Sequence, residues 1–144
     1  MKRPTGLVVG LVVALALPTA ALGARRVIHG PAGSSGSGTV DITLVAKNGN
    51  VKKLTRFEFN NIPATCAGFA PTATSGTFPH TITVNAKAKF HASVKQNGGR
   101  VTFTVSGHFS SQDKAAGTLR IKGAVPGCGQ ADTGKVHWSA KHGG

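Results

Sequence analysis

Acids are few and bases many among the residues of this chain that do chemistry. Asp41, Glu58, Asp113 and Asp132 are its four acids, against 17 Lys and Arg and six His. Paired-carboxylate catalysis needs two acids within roughly 5–10 Å, and these four are scattered. Asp41 and Asp132 also have structural uses, as a cross-strand partner of Arg56 and as the head of a turn. A serine triad needs serine, histidine and acid in mutual reach; no G-x-S-x-G elbow is present. Asp132-Thr133-Gly134 matches the Asp-Thr-Gly of aspartic proteases over three residues only, and that chemistry requires a second aspartate. An Asx turn accounts for the triplet. His91, His108 and His137 sit on the polar phase of their strands. In the expected register His91 faces Thr104, about 13 Å from His108 at ~3.3 Å per residue, too far to share an ion. No catalytic residue, metal or cofactor is assigned, and the chain is not expected to be an enzyme.

Binding is the more promising chemistry. One polar phase collects Lys87, Lys89, Lys95, Arg100, Arg120 and Lys122, interleaved with His91, Thr102, Thr104, Ser106, His108 and Thr118. The expected register aligns His91, Thr104 and Arg120 in one row and sets Lys95 against Arg100. Six cations on a face without an acid suit phosphate or carboxylate polymers, bound through counterion release. No aromatic residue lies among them for base stacking, which argues against single-strand recognition. The plainer reading is a solvated basic face whose lysines deter edge aggregation. The expected partners are anionic polymers: cell-wall polymer, acidic polysaccharide or extracellular nucleic acid. The alternative is a secreted hydrolase with a loop-borne site near Cys66 and Cys128, since connecting loops often carry function.

Strands must position these groups. Val136, Trp138 and Ala140 alternate with Lys135, His137 and Ser139, the pattern of a strand with one buried face. Trp138 is the expected core anchor of this closing strand. Asn48-Gly49 predicts a two-residue type I′ hairpin pairing Ala46 with Val51, Val40 with Phe57, and Asp41 with Arg56. A bulge near Lys53-Leu54 would repair the phase of its second strand, which Pro63 ends. Asn97-Gly98 predicts a second two-residue turn, pairing Val94 with Val101 and Phe90 with Val105. Leu119 and Ile121 then pair with Val105 and Phe103. No helical period follows residue 23. About seven short strands predict an all-β, single antiparallel β-sandwich of immunoglobulin-like form, with a small barrel as second choice.

The N-terminal residues read as an export signal. Met1-Lys2-Arg3 precedes the apolar run Leu7 to Leu17, Pro18 breaks it, and Ala21-Leu22-Gly23 suits cleavage. The run is too short to span a membrane as a helix. The expected organisation is a signal peptide over 1–23, a flexible Gly/Ser linker over 24–38, the sandwich over 39–141 and a tail over 142–144. Without Lys2 and Arg3, 15 basic residues face four acids, a net +11. Such a charge draws a protein to polyanions and says nothing of fold. Cys66 and Cys128 lack C-x-x-C spacing, and in an exported chain they are expected to form one disulfide.

Phe57-x-Phe59-x-Asn61-x-Pro63 before Cys66, Gly117-Thr118-Leu119-Arg120-Ile121, and Cys128 before Asp132-Thr133-Gly134-x-Val136-x-Trp138 together resemble a set of small exported proteins of soil actinobacteria. The resemblance runs from Lys53 onward and implies an immunoglobulin-like sandwich, export and no assigned activity. It transfers no functional residue. In immunoglobulin domains the paired cysteines lie inside facing strands, whereas here both fall in predicted loops.

Overall fold

The computed structural model describes residues 23–143; the expected signal peptide, but for Gly23, lies outside them. Ten strands follow in order: β1 (Ala24–Ala32), β2 (Gly38–Lys47), β3 (Asn50–Cys66), β4 (Phe69–Thr77), β5 (Ile82–Thr83), β6 (Lys89–Gln96), β7 (Val101–Ser111), β8 (Lys114–Val125), β9 (Gly129–Asp132) and β10 (Val136–Lys141). No helix occurs among the described residues. The pairing β1–β2–β3–β9–β8–β10 returns to β1 and closes a six-strand barrel, with β4 and β5 on β3 and β7–β6 on β8. β7 takes one edge of β8, and β9 and β10 share the other.

The expected open sandwich is therefore corrected to a closed barrel, and the reason lies in residues 24–38. Their composition reads as a linker, yet Ala24–Ala32 pairs with β2 along its whole length and with β10 at His29 and Ala32. Gly30 is small because β1 runs very close to β10 there: a Cβ at Gly30 would meet the Ser139 carbonyl oxygen at 1.9 Å. Only Gly33 to Ser37 forms a loop, with Gly33 and Gly36 at positive φ.

Alternation sets the rest. β2 buries Val40, Ile42, Leu44 and Ala46 on one face, and β10 buries Val136, Trp138 and Ala140. Phe90, Gly107, Gly117 and Trp138 form one inward row over four strands. The two glycines leave room for the rings of Phe90 and Trp138, which stack over them with centroids 6.1 Å apart. A Cβ on Gly107 would sit 2.4 Å from Phe90 Cζ. Phe57 meets Trp138 edge-on at 5.5 Å, and Phe103 meets Phe59 at 4.9 Å.

The Asn48-Gly49 turn forms with φ of 53° and 76°, and Ala46 pairs with Val51. Thr55 and Lys52 are then left over as two bulges, which bring Leu54 inward. Two extra residues shift the register by two, so Val40 faces Phe59 rather than Phe57, and Asp41 faces Glu58 rather than Arg56. The phase survives because a shift of two preserves the face. The Asn97-Gly98 hairpin behaves likewise. Its loop has four residues, Asn97 to Arg100, so Val94 faces Phe103 and Phe90 faces Gly107. β3 runs on through Pro63, which sits opposite Ala73 of β4. Leu119 and Ile121 face Val105 and Phe103 as expected. The disulfide joins Cys66 to Cys128, with Cα atoms 4.9 Å apart.

Candidate anion-binding face

The outward phase of β6, β7 and β8 carries four of the six candidate cations, Lys89, Lys95, Arg120 and Lys122, in cross-strand rows; Lys87 and Arg100 fall in the turns before β6 and before β7. Lys89, His108 and Ala116 form one row; His91, Ser106, Thr118 and His137 form the next. Ser93, Thr104 and Arg120 follow, then Lys95, Thr102, Lys122 and Asp132. Arg120 thus keeps its place beside Thr104, but His91 lies one row away and faces Ser106. The four-residue loop causes this shift. It also separates Lys95 from Arg100, so the expected like-charge contact is replaced by Lys95 against Thr102.

Hydroxyls tie the rows together. His91 Nδ1 lies 2.8 Å from Ser106 Oγ, and Ser93 Oγ lies 3.2 Å from Thr104 Oγ1. At the mouth of β6, Asn85 Oδ1 accepts hydrogen bonds from the backbone N–H groups of Lys87 and Lys89. That Asx arrangement fixes the start of the lysine-bearing edge. Arg100 closes the β6–β7 loop, where its carbonyl accepts a hydrogen bond from the Ala124 N–H. Lys87, Lys89, Lys95, Arg100, Arg120 and Lys122 are all exposed. A 610 Å³ groove runs between Lys89, His91 and His108 over Gly107 and Gly117, and a 280 Å³ depression lies between Thr102, Thr104, Arg120 and Lys122.

The face is not free of acid, which corrects the expectation. β9 folds back beside β8 and brings Asp132 opposite Lys122. Arg120 donates from Nε and Nη2 to the two Asp132 carboxylate oxygens at 3.0 and 2.7 Å. The Gly134 N–H donates to Asp132 Oδ1 at 2.8 Å, so the expected Asx turn forms with the same carboxylate. The hydrogen bond from Arg120, then that from Gly134, holds the Asp132 pKa down at about 2. Arg120 is raised in turn, first by its hydrogen bond to Asp132. The pair is not legible in the sequence because Asp132 falls in Gly123 to Gly134, which has a loop composition, 12 residues from Arg120 on its strand. The turn Pro126-Gly127 between two short extended runs was the available clue.

The other three carboxylates are also taken. Asp41 is 2.6 Å from His29 Nδ1, Glu58 is paired with Arg56, and Asp113 with Arg26. Every acid side chain therefore has a basic partner. Asp41 and Glu58 are direct cross-strand neighbours, but each is engaged by its own base, His29 and Arg56. Asp132 is anchored as an anion and is unsuited to proton transfer near neutral pH. Thirteen ångströms was the expected gap between His91 and His108. The corrected register makes them diagonal neighbours, roughly 7–8 Å apart, but no cluster of three metal-ligating side chains occurs among the described residues. Around the disulfide, Ala67 N–H donates to the Gln130 carbonyl and Thr65 Oγ1 donates to the Asp132 carbonyl. These contacts hold the loop and bring no histidine to it.

Among the described residues no helix is long and apolar enough to cross a membrane. No family model matches the chain, and neither the curated proteins nor the solved structures hold a match to it.

Proposed function

We propose that this chain is an exported, non-catalytic module that holds anionic polymers, such as cell-wall polymer, acidic polysaccharide or extracellular nucleic acid, on the outer face of β6, β7 and β8. One observation carries the reading. All four side-chain carboxylates are engaged by Arg26, His29, Arg56 and Arg120, so among the described residues Lys87, Lys89, Lys95, Arg100 and Lys122 form no ion pair, although Lys122 lies across from Asp132. A surface arranged only for solubility gains from interspersed signs; here the one acid on the face, Asp132, is held by Arg120. Spacing fits a repeating ligand, since neighbouring strands lie ~4.8 Å apart and outward residues ~6.6 Å apart along a strand. Flexible polymers of closely spaced charges reach several such cations at once.

Export is supported by the charged n-region and apolar run ahead of residue 23, and by the disulfide, a bond that persists in oxidising compartments. The small exported actinobacterial proteins that the chain resembles fit the same picture. The test is retention of the protein on immobilised heparin, duplex DNA and teichoic-type polymer, beside a Lys89→Ala/Lys95→Ala/Arg100→Ala/Lys122→Ala variant. Equal retention of both proteins on all three would refute the reading.

A further inference from the structure

We infer that a separate pocket, between β1, β8 and β10, binds a small organic anion, a carboxylate or phosphate monoester carried on an apolar body. Lys114 and Lys141 meet its charge. The inference does not rest on the polymer-binding face, whose lysines lie on other rows.

The pocket has a volume of 390 Å³ and is lined by His29, Pro31, Thr39, Lys114, Ser139 and Lys141, with Gly30 and Ala140 at its base. That volume lies within the ~300–1,000 Å³ usual for small-ligand sites. One outward row across β2, β1, β10 and β8 reads Asp41, His29, Lys141, Lys114. Lys141 and Lys114 are thus direct cross-strand partners, and like charges so placed destabilise a sheet. Among the described residues neither forms an ion pair with a carboxylate. The two nearest candidates are already bound, Asp41 to His29 and Asp113 to Arg26. A bound anion between the two ammonium groups would turn this repulsion into two attractions.

The remaining walls define the ligand. Ser139 and Thr39 supply hydroxyls, which donate to an anionic oxygen. The Asp41 carboxylate only accepts, so His29 Nδ1 carries the proton toward it; Nε2 of the neutral ring is then an acceptor, and the donors to the anion are the two lysines and the two hydroxyls. The Pro31 ring and the lysine stems are apolar, and suit a hydrocarbon body. The frame is tied from three sides: Arg26 to Asp113, the His142 N–H to the Asp113 carbonyl, and His142 Nδ1 to the Val27 carbonyl. These contacts hold the backbones that carry Lys114 and Lys141 before any ligand arrives.

The experiment is an NMR titration of the protein with phenyl phosphate, benzoate and inorganic phosphate. Amide shifts at His29, Lys114, Ser139 and Lys141 are expected with the first two. Tighter binding of phenyl phosphate assigns a phosphate ester, and tighter binding of benzoate a carboxylate. Lys114→Met/Lys141→Met should weaken binding at least tenfold while the free protein melts no lower than wild type. Lys141→Glu should raise the Tm of the free protein and abolish binding. Unchanged affinity in the double variant would overturn the inference, as would a lower Tm of free Lys141→Glu or the absence of local shifts at millimolar probe. Inorganic phosphate binding as tightly as phenyl phosphate would overturn the apolar body. The β6–β7 face is intact in both variants, so failure here leaves polymer binding untouched, and failure of polymer binding leaves this pocket standing.

Discussion

Salt offers the sharpest test of the polymer-binding face. Five of its cations form no ion pair among the described residues, Lys87, Lys89, Lys95, Arg100 and Lys122, while Arg120 is held by Asp132. If each releases about one counterion from duplex DNA, the slope of log K against log salt is roughly −0.9 per contact, or about −4.5 in all. Raising salt from 50 to 200 mM should then weaken binding about 500-fold. The Lys89→Ala/Lys95→Ala/Arg100→Ala/Lys122→Ala variant keeps only Lys87, so its slope should fall to about −1 and its loss over the same range to three- or fourfold. The two salt curves should converge at high salt. Asp132→Asn provides the opposite perturbation. It releases Arg120 to the ligand, adds a sixth contact and should both tighten binding and steepen the slope to about −5.4. The assay is fluorescence anisotropy of a labelled duplex over a salt series. A wild-type affinity that ignores salt, or an Asp132→Asn variant that binds more weakly at low salt, would refute the reasoning.

Four further outcomes follow from the packing and charge of the fold. Asp132 is depressed from 3.8 to about 2 in the folded chain, so its stabilising contribution is full above the unfolded value and is lost as pH falls through about 2. The Tm difference between wild type and Asp132→Asn should therefore be constant above pH 5 and close between pH 4 and pH 2. Gly30→Ala drives a Cβ against the Ser139 carbonyl and should cost about 1–3 kcal/mol in urea unfolding, with hydrogen exchange rising first along β1 and β10. Trp138→Ala removes the ring that covers Gly107 and Gly117 and should cost about 3–5 kcal/mol; a smaller loss would mean that the two rings do not share the core. Replacing both Cys66 and Cys128 by alanine opens a 62-residue loop and should lower stability by about 4 kcal/mol on the chain-entropy account, read from the same urea curves.

Residue types and phase alone determined much of this protein. Alternation in Val136-His137-Trp138-Ser139-Ala140 marked a buried tryptophan strand, and in Val101 to Val105 it told which side chains face outward. Those features are local, because side-chain direction in a strand repeats every two residues whatever the partner. The Asn48-Gly49 turn was legible for the same reason: its backbone conformation is a property of the two residues in it. Shifts of two residues preserved the faces beyond the turns and bulges, so Lys89, Lys95, Arg120 and Lys122 face outward although the partner of Lys95 changed. What pairs with what was decided by the assembled molecule. Ala24–Ala32 carries glycine and proline and looks like a linker, but it becomes a strand because β2 and β10 each present it with a hydrogen-bonding edge. That single addition closes the barrel. Asp132 reads as a turn residue and serves as one, yet β9 also lays its carboxylate on Arg120. Lys114 and Lys141, 27 residues apart, meet because β10 lies against the first half of β8. Strand pairing between segments distant in the chain depends on edges that no single segment contains, so charge partners and pockets emerge only when those edges join.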